Sequence, residues 1–218
     1  KVNNQDGSSI EGISADTLFK AVLLGKAVKE TGMNKVVSFH SSVAAAKEFI
    51  NVYGSFDCKF MYDQFGIDKT KAAFLHVNGS QATSERSQSF KMFEQSEFGL
   101  LSNVRCLTEG VDMPFIDGVM FADSKGSMID IVQAVGRALR KPHSIEDKTS
   151  YIIIPIRFNS DGAYVDDDFA PLHLVIQALR DQDDTLAEWI DEINLGVVKG
   201  TSGHALKHKT SKVKLLVP

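Results

Sequence analysis

The chain has 218 residues, with 24 Lys and Arg against 28 Asp and Glu, a formal charge of −4. Apolar residues make up 43% and charged residues 24%, an ordinary globular composition that excludes disorder, collagen and coiled coil as the main state. A chain of this length buries roughly 70% of its unfolded surface, enough for a full core without staples.

Residues 14–32 read as a helix: Ser14 is a plausible N-cap, Leu18, Val22, Leu23 and Ala27 recur at helical spacing, and Gly32 suits the stop. Lys35–Phe39 is a short β-rich run, and Ser41 or Ser42 then caps a helix from Val43 to about Tyr53. The apolar run Ala72–Val77 ends at the turn pair Asn78–Gly79. Thr83 opens the next helix, with Phe90 and Phe93 on one face, and Phe98–Ser102 and Gly118–Ala122 read as strands. Ile129–Leu139 reads as a helix, and Tyr151–Ile156 is nearly continuous in apolar residues, as strands packed on both faces are. This alternation predicts an α/β fold, a mostly parallel sheet with helices on both faces. Ligands on such sheets sit outside the carboxyl ends of the strands, so the loops at 40–42, 78–82, 102–114 and 123–127 are the ones that matter.

After Phe158 the pattern changes. An acidic loop precedes two helical stretches, 170–180 and 184–195, and a Gly-, Ser- and Lys-bearing tail follows. The tail could touch phosphates or simply be a solvated terminus. Cys58 and Cys106 give neither a disulfide framework nor a zinc spacing, which points to a reduced, cytoplasmic setting. No apolar run approaches the roughly 18 residues of a membrane span. The first residues carry no initiator Met and no signal-peptide core, so the chain is expected to be cut from a longer protein.

The chemistry concentrates in residues 102–141. Thr108–Pro114 is a loop after a strand, and the following helix places Gln133, Arg137 and Lys141 four apart, with Arg140 three beyond Arg137. That spacing puts them on one face. Guanidinium forks suit an anion with several oxygens; the bland alternatives are a solvated helix face and a Gly/Pro turn with a capping Asp. His40 and His76 lie near the right loops but fit structural hydrogen-bonding roles. Phe90, Phe93 and Phe98 read as core.

The tract Leu101–Pro114 followed by Gln133-Ala-Val-Gly-Arg-Ala-Leu-Arg140 resembles motifs V and VI of superfamily 2 helicases. Lys35–Ser42 resembles motif IV, and His76-Val-Asn-Gly79 with Arg86 and Phe90 resembles the segment between IV and V. Gln133 opening the last motif, where a DEAD-box protein has His-Arg, brings the likeness closest to DEAD/DEAH-like translocases of type I and type III restriction-modification enzymes. The resemblance implies the second, C-terminal RecA-like domain of a two-domain motor over 14–157, after a linker at 1–13. A helical extension would span 158–195 and a basic tail or linker 196–218.

The resemblance also assigns roles. Arg137 and Arg140 would be catalytic arginine fingers. Gln133, Glu109, Gly110 and Asp112 would stand at the ATP site, and Ser41, Asn78, Gly79, Ser102 and Asn103 at a nucleic-acid backbone. ATP and Mg2+ would be held mainly by the first RecA-like domain. DNA is the implied partner, RNA a second option, and no membrane is expected. Gly25-Lys26 is not a phosphate loop: Lys20 stands at the position of the upstream glycine and Ala27 where Ser or Thr would bind magnesium. No metal site is expected in this chain. Alone, it should therefore not hydrolyse ATP. The alternative is a non-enzymatic RecA-like module that binds nucleic acid or a protein.

Overall fold

A computed structural model describes residues 13–54, 65–104, 115–123 and 149–155. Helix α1 (Ala15–Thr31) starts at Ser14, whose hydroxyl accepts the Thr17 N–H, and ends at Gly32, whose φ of 71° closes the helix with an N–H to Val28 O. Strand β1 (Lys35–Phe39) follows, then α2 (Val43–Gly54). The hydroxyl of Ser42 accepts the Ala45 N–H, so Ser42 rather than Ser41 caps α2. Strand β2 (Ala72–Asn78), α3 (Thr83–Gln95) and the strands β3 (Phe98–Val104), β4 (Gly118–Phe121) and β5 (Tyr151–Ile153) complete the described elements. A short 3-10 turn at Lys69–Lys71, capped by Asp68, leads into β2; its lysine-rich sequence carried no periodic signal.

The five strands form one parallel sheet in the order β2-β3-β1-β4-β5. This is the parallel α/β sheet that the alternation of elements implied, and the RecA-like fold that the resemblance implied. Because side chains alternate across a strand, one set packs under α1 and α2: Val36, Leu100, Met120 and Ile153 join Leu24, Phe49 and Tyr53. The other set, Val37, Leu101, Val119 and Phe121, packs with Phe93 of α3. The connection β1–α2–β2 moves toward one edge on the first face, and β2–α3–β3 returns on the second, as right-handed crossovers require.

Strand β5 lies at the edge of the described sheet and is shorter than its apolar run. It nevertheless packs both ways, Ile153 with one cluster and Ile152 with the other. Phe93 and Phe98 are buried and Phe90 is half-buried, all three in the core. The Tyr53 hydroxyl donates to Ala21 O at 2.6 Å and joins α2 to α1. Among the described residues no helix is long and apolar enough to cross a membrane. The helix at 129–139, the extension at 158–195, the tail and both cysteines lie outside the described residues.

Two glycines test this packing in opposite directions. A Cβ on Gly99 would lie 2.5 Å from the fully buried Phe93 ring, whereas one on Gly54 would meet nothing within 4 Å. Gly99→Ala should therefore destabilise the chain by about 1–3 kcal/mol, while Gly54→Ala should be neutral or gain up to about 1 kcal/mol from helix propensity. Urea midpoints of the two variants check this; equal shifts would contradict the packing.

Candidate functional site

The carboxyl ends of β1, β2, β3 and β4 point to one edge of the sheet. Register fixes who meets there: Ser38 pairs with Ser102 and Met120, Phe39 with Asn103 and Phe121, and His76 with Ser102. The connection after β1 leaves on one face and that after β2 on the other. All five residues expected at a nucleic-acid backbone, Ser41, Asn78, Gly79, Ser102 and Asn103, come together on this edge.

Their side chains are mostly engaged within the protein. The Ser41 backbone N–H and hydroxyl both donate to Asp123 Oδ2, each at 3.0 Å. Lys20 of α1 donates to the other oxygen, Oδ1, at 2.7 Å, and also pairs with Asp16 one turn earlier. Burial disfavours both charges. The Lys20 ammonium and the Ser41 N–H outweigh it for Asp123, whose carboxyl stays below its ordinary value. The two aspartates likewise outweigh it for Lys20, which is held above its own. Asp123 thus ties the loop after β4 to the loop after β1 and to α1.

Beside it, His40 is buried, tilted on the Phe49 ring with centroids 5.0 Å apart. Its Nε2 lies 3.0 Å from the Ser38 hydroxyl and its Nδ1 3.8 Å from Asp123 Oδ2. Burial pushes the ring down to about 4, against the pull of Asp123, so at neutral pH His40 is uncharged and makes no ion pair.

A second polar group sits at β2 and β3. His76 Nδ1 is 2.9 Å from the buried Ser102 hydroxyl, and the Asn78 amide nitrogen is 3.1 Å from His76 Nε2. Asn78 Oδ1 accepts the Ser80 N–H at 3.0 Å and its hydroxyl at 2.5 Å, an Asx turn. Gln81 closes the loop by accepting the Asn78 N–H at 2.9 Å. Asn103 is buried, and its carbonyl accepts the His40 N–H at 3.1 Å. Gly79 has no side chain to engage. It is exposed, as Ser41 is, its φ is not in the left-handed region, and a Cβ there would meet nothing within 4 Å.

Sequence reasoning missed Asp123 and Lys20 as the fastening of this edge, since 103 residues separate them; the only signals were the Asp16/Lys20 spacing and the position of Asp123 just after a strand. Gly25-Lys26 lies inside α1, with Gly25 buried against Phe65, so it cradles no phosphate. Arg137, Arg140, Gln133, Glu109, Gly110 and Asp112 lie outside the described residues.

The family described as helicase conserved C-terminal domain matches residues 19–142, more than half of the sequence. The chain belongs to this family. As a helicase C-terminal domain it is 34% identical over 92 residues to the Saccharomyces cerevisiae protein IRC3, named as a candidate ATP-dependent helicase; the match covers 37% of this chain and 13% of that protein. It is 24% identical over 103 residues to the Kluyveromyces lactis ATP-dependent RNA helicase DBP4, covering 47% and 13%. The DNA-bound ATP-dependent Type ISP restriction-modification enzyme LlaBIII shares its fold with a TM-score of 0.69 at 24% identity, covering 93% of this chain and 13% of that one. The chain thus spans about an eighth of the length of each relative.

The buried imidazole of the helicase domain gives its stability a pH dependence. His40 titrates at about 4 in the fold and near 6.5 in an unfolded chain. Between those values the unfolded chain binds a proton that the fold refuses, so stability is full above about 6.5 and falls by up to about 1.4 kcal/mol per pH unit toward 4. His76, also lowered by burial, adds in the same direction. Urea unfolding at pH 7 and pH 5 should show a smaller acid loss for His40→Gln than for wild type; equal losses would contradict the buried neutral ring.

Proposed function

We propose that this chain is the second motor domain of an ATP-dependent nucleic-acid helicase or DNA translocase of the restriction-enzyme type, with residues 14–157 as the motor domain, 158–195 as a helical extension and 196–218 as a basic tail. The observation that carries the reading is the convergence of Ser41, Asn78, Gly79, Ser102 and Asn103 on one sheet edge, in a chain that carries the helicase tract 101–140. Gly79 is the member whose main chain lies open, with room for a phosphate to approach closely. Asn78, Ser41, Ser102 and Asn103 hold the loops around it. Contacts of this kind position a nucleic acid and read no sequence.

Gly25-Lys26, inside α1 with Gly25 against Phe65, offers no phosphate cradle. ATP, bound with Mg2+ mainly by the first domain, would supply the phosphoryl group to be transferred. The part left to this chain is charge stabilisation: Arg137 and Arg140 would present guanidinium groups across the domain cleft, with Gln133, Glu109, Gly110 and Asp112 beside the nucleotide. Fixed guanidinium groups act on the charge that spreads over the transferred oxygens.

In the full-length parent, Arg137→Ala and Arg140→Ala should each lower DNA-stimulated ATP turnover steeply, arginine fingers being worth roughly 10³–10⁵ in rate. Nucleotide affinity should change far less. Lysine at either position should restore activity only in part, because a point charge lacks the planar fork. Wild-type turnover in both alanine variants would favour the non-enzymatic module instead.

A further inference from the structure

We propose that His76 is a positioning residue: its neutral ring ties Asn78 at the end of β2 to Ser102 in β3, and so holds the Asn78–Gly79 turn in the shape that meets a nucleic-acid backbone. The proposal rests on the nucleic-acid reading above.

The hydrogen bonds around the ring run in one direction. The Ser80 backbone N–H can only donate, and it donates to Asn78 Oδ1 at 3.0 Å, as does the Ser80 hydroxyl at 2.5 Å. That fixes which end of the Asn78 amide faces the histidine: its NH2 group donates to His76 Nε2 at 3.1 Å. With Nε2 accepting, the ring proton is on Nδ1 and donates to the Ser102 hydroxyl at 2.9 Å. Ser102 in turn donates to Leu75 O at 3.5 Å. Gln81 Nε2 donates to His76 O at 3.4 Å, completing the loop around the histidine.

A second proton on His76 has no place in this chain. It would point an N–H at the Asn78 NH2 group, donor against donor. Asn78 cannot turn its amide over without abandoning both bonds from Ser80. Acid must therefore separate the ring from Asn78 and release the turn that carries Gly79. Burial and the Lys47 ammonium on α2 hold the ring below its ordinary value. The other titratable neighbour, His40 after β1, remains neutral until about pH 4. The expected sign is opposite to simple electrostatics, since added positive charge by itself strengthens binding to phosphates.

The test uses the full chain and a fluorescent single-stranded DNA oligonucleotide at low, fixed salt, with imidazole nitrogen NMR on the same protein. The ring should show the Nδ1–H tautomer. Wild-type affinity should hold at pH 7.5 and weaken by up to about fivefold as the pH falls through the range in which the NMR shows His76 taking its second proton, the loss expected when one held hydrogen bond is given up. His76→Leu should be weakened by a similar factor at pH 7.5 and throughout that range. His76→Gln offers an acceptor to Asn78 that does not titrate, so it should bind near wild type at pH 7.5 and lose the acid dependence. An Nε2–H tautomer, a leucine variant that binds as wild type does, or a glutamine variant with undiminished acid dependence would overturn the proposal. If wild type shows the Nδ1–H tautomer but no DNA binding at any pH, the nucleic-acid reading itself has failed, and the role given to His76 falls with it.

Discussion

Everything at the candidate site depends on β1 lying between β3 and β4 in parallel register. In a parallel sheet every strand ends on the same side, so the loops after β1, β2 and β4 are forced onto one edge. The same register places Ser38, Ser102 and His76 in one row beneath that edge. Both faces of the sheet are covered by apolar side chains, so the buried hydroxyls of Ser38 and Ser102 cannot turn to water and must find partners inside. They do so through His40 with Ser38 and His76 with Ser102. A buried polar group without a partner would cost about 1–3 kcal/mol.

The edge is fastened in two different ways. At β1 and β4 the fastening is ionic: the Asp123 carboxylate gathers Lys20 from α1 and the N–H and hydroxyl of Ser41. The one ammonium of Lys20 serves this carboxylate and Asp16 together. At β2 and β3 the fastening is a chain of neutral hydrogen bonds through His76 and Asn78, which leaves Gly79 exposed. The residues that resemble nucleic-acid contacts thus divide into those that build the loops and one whose main chain remains accessible.

Much of the fold was legible because local signals agreed with tertiary packing. Ser14 and Gly32 mark the ends of α1 as cap and left-handed stop, and Asn78-Gly79 ends β2 in an Asx turn. The apolar runs of β1, β3 and β4 are buried strands. Strand order was not legible, because nothing local in Lys35–Phe39 says that it pairs with β3 and β4 and not with β2. Nor was the Lys20–Asp123 bridge, which exists only once 103 residues have folded back. Ser41 illustrates the difference. Its place at the strand end was readable, but the Asp123 carboxylate that occupies its donors was not. The histidines read as hydrogen-bonding residues and are so; that one of them links two expected contact residues required the register of β2 on β3.

In the proposed reading this chain holds one half of a split ATPase site. The most direct measurement is ATP turnover by the purified chain alone, by the first RecA-like domain of its parent alone, and by the two joined, each with and without DNA. A split site predicts no turnover by either half and DNA-dependent hydrolysis only when they are joined. Turnover by the purified chain alone, abolished by a substitution within it, would contradict that account.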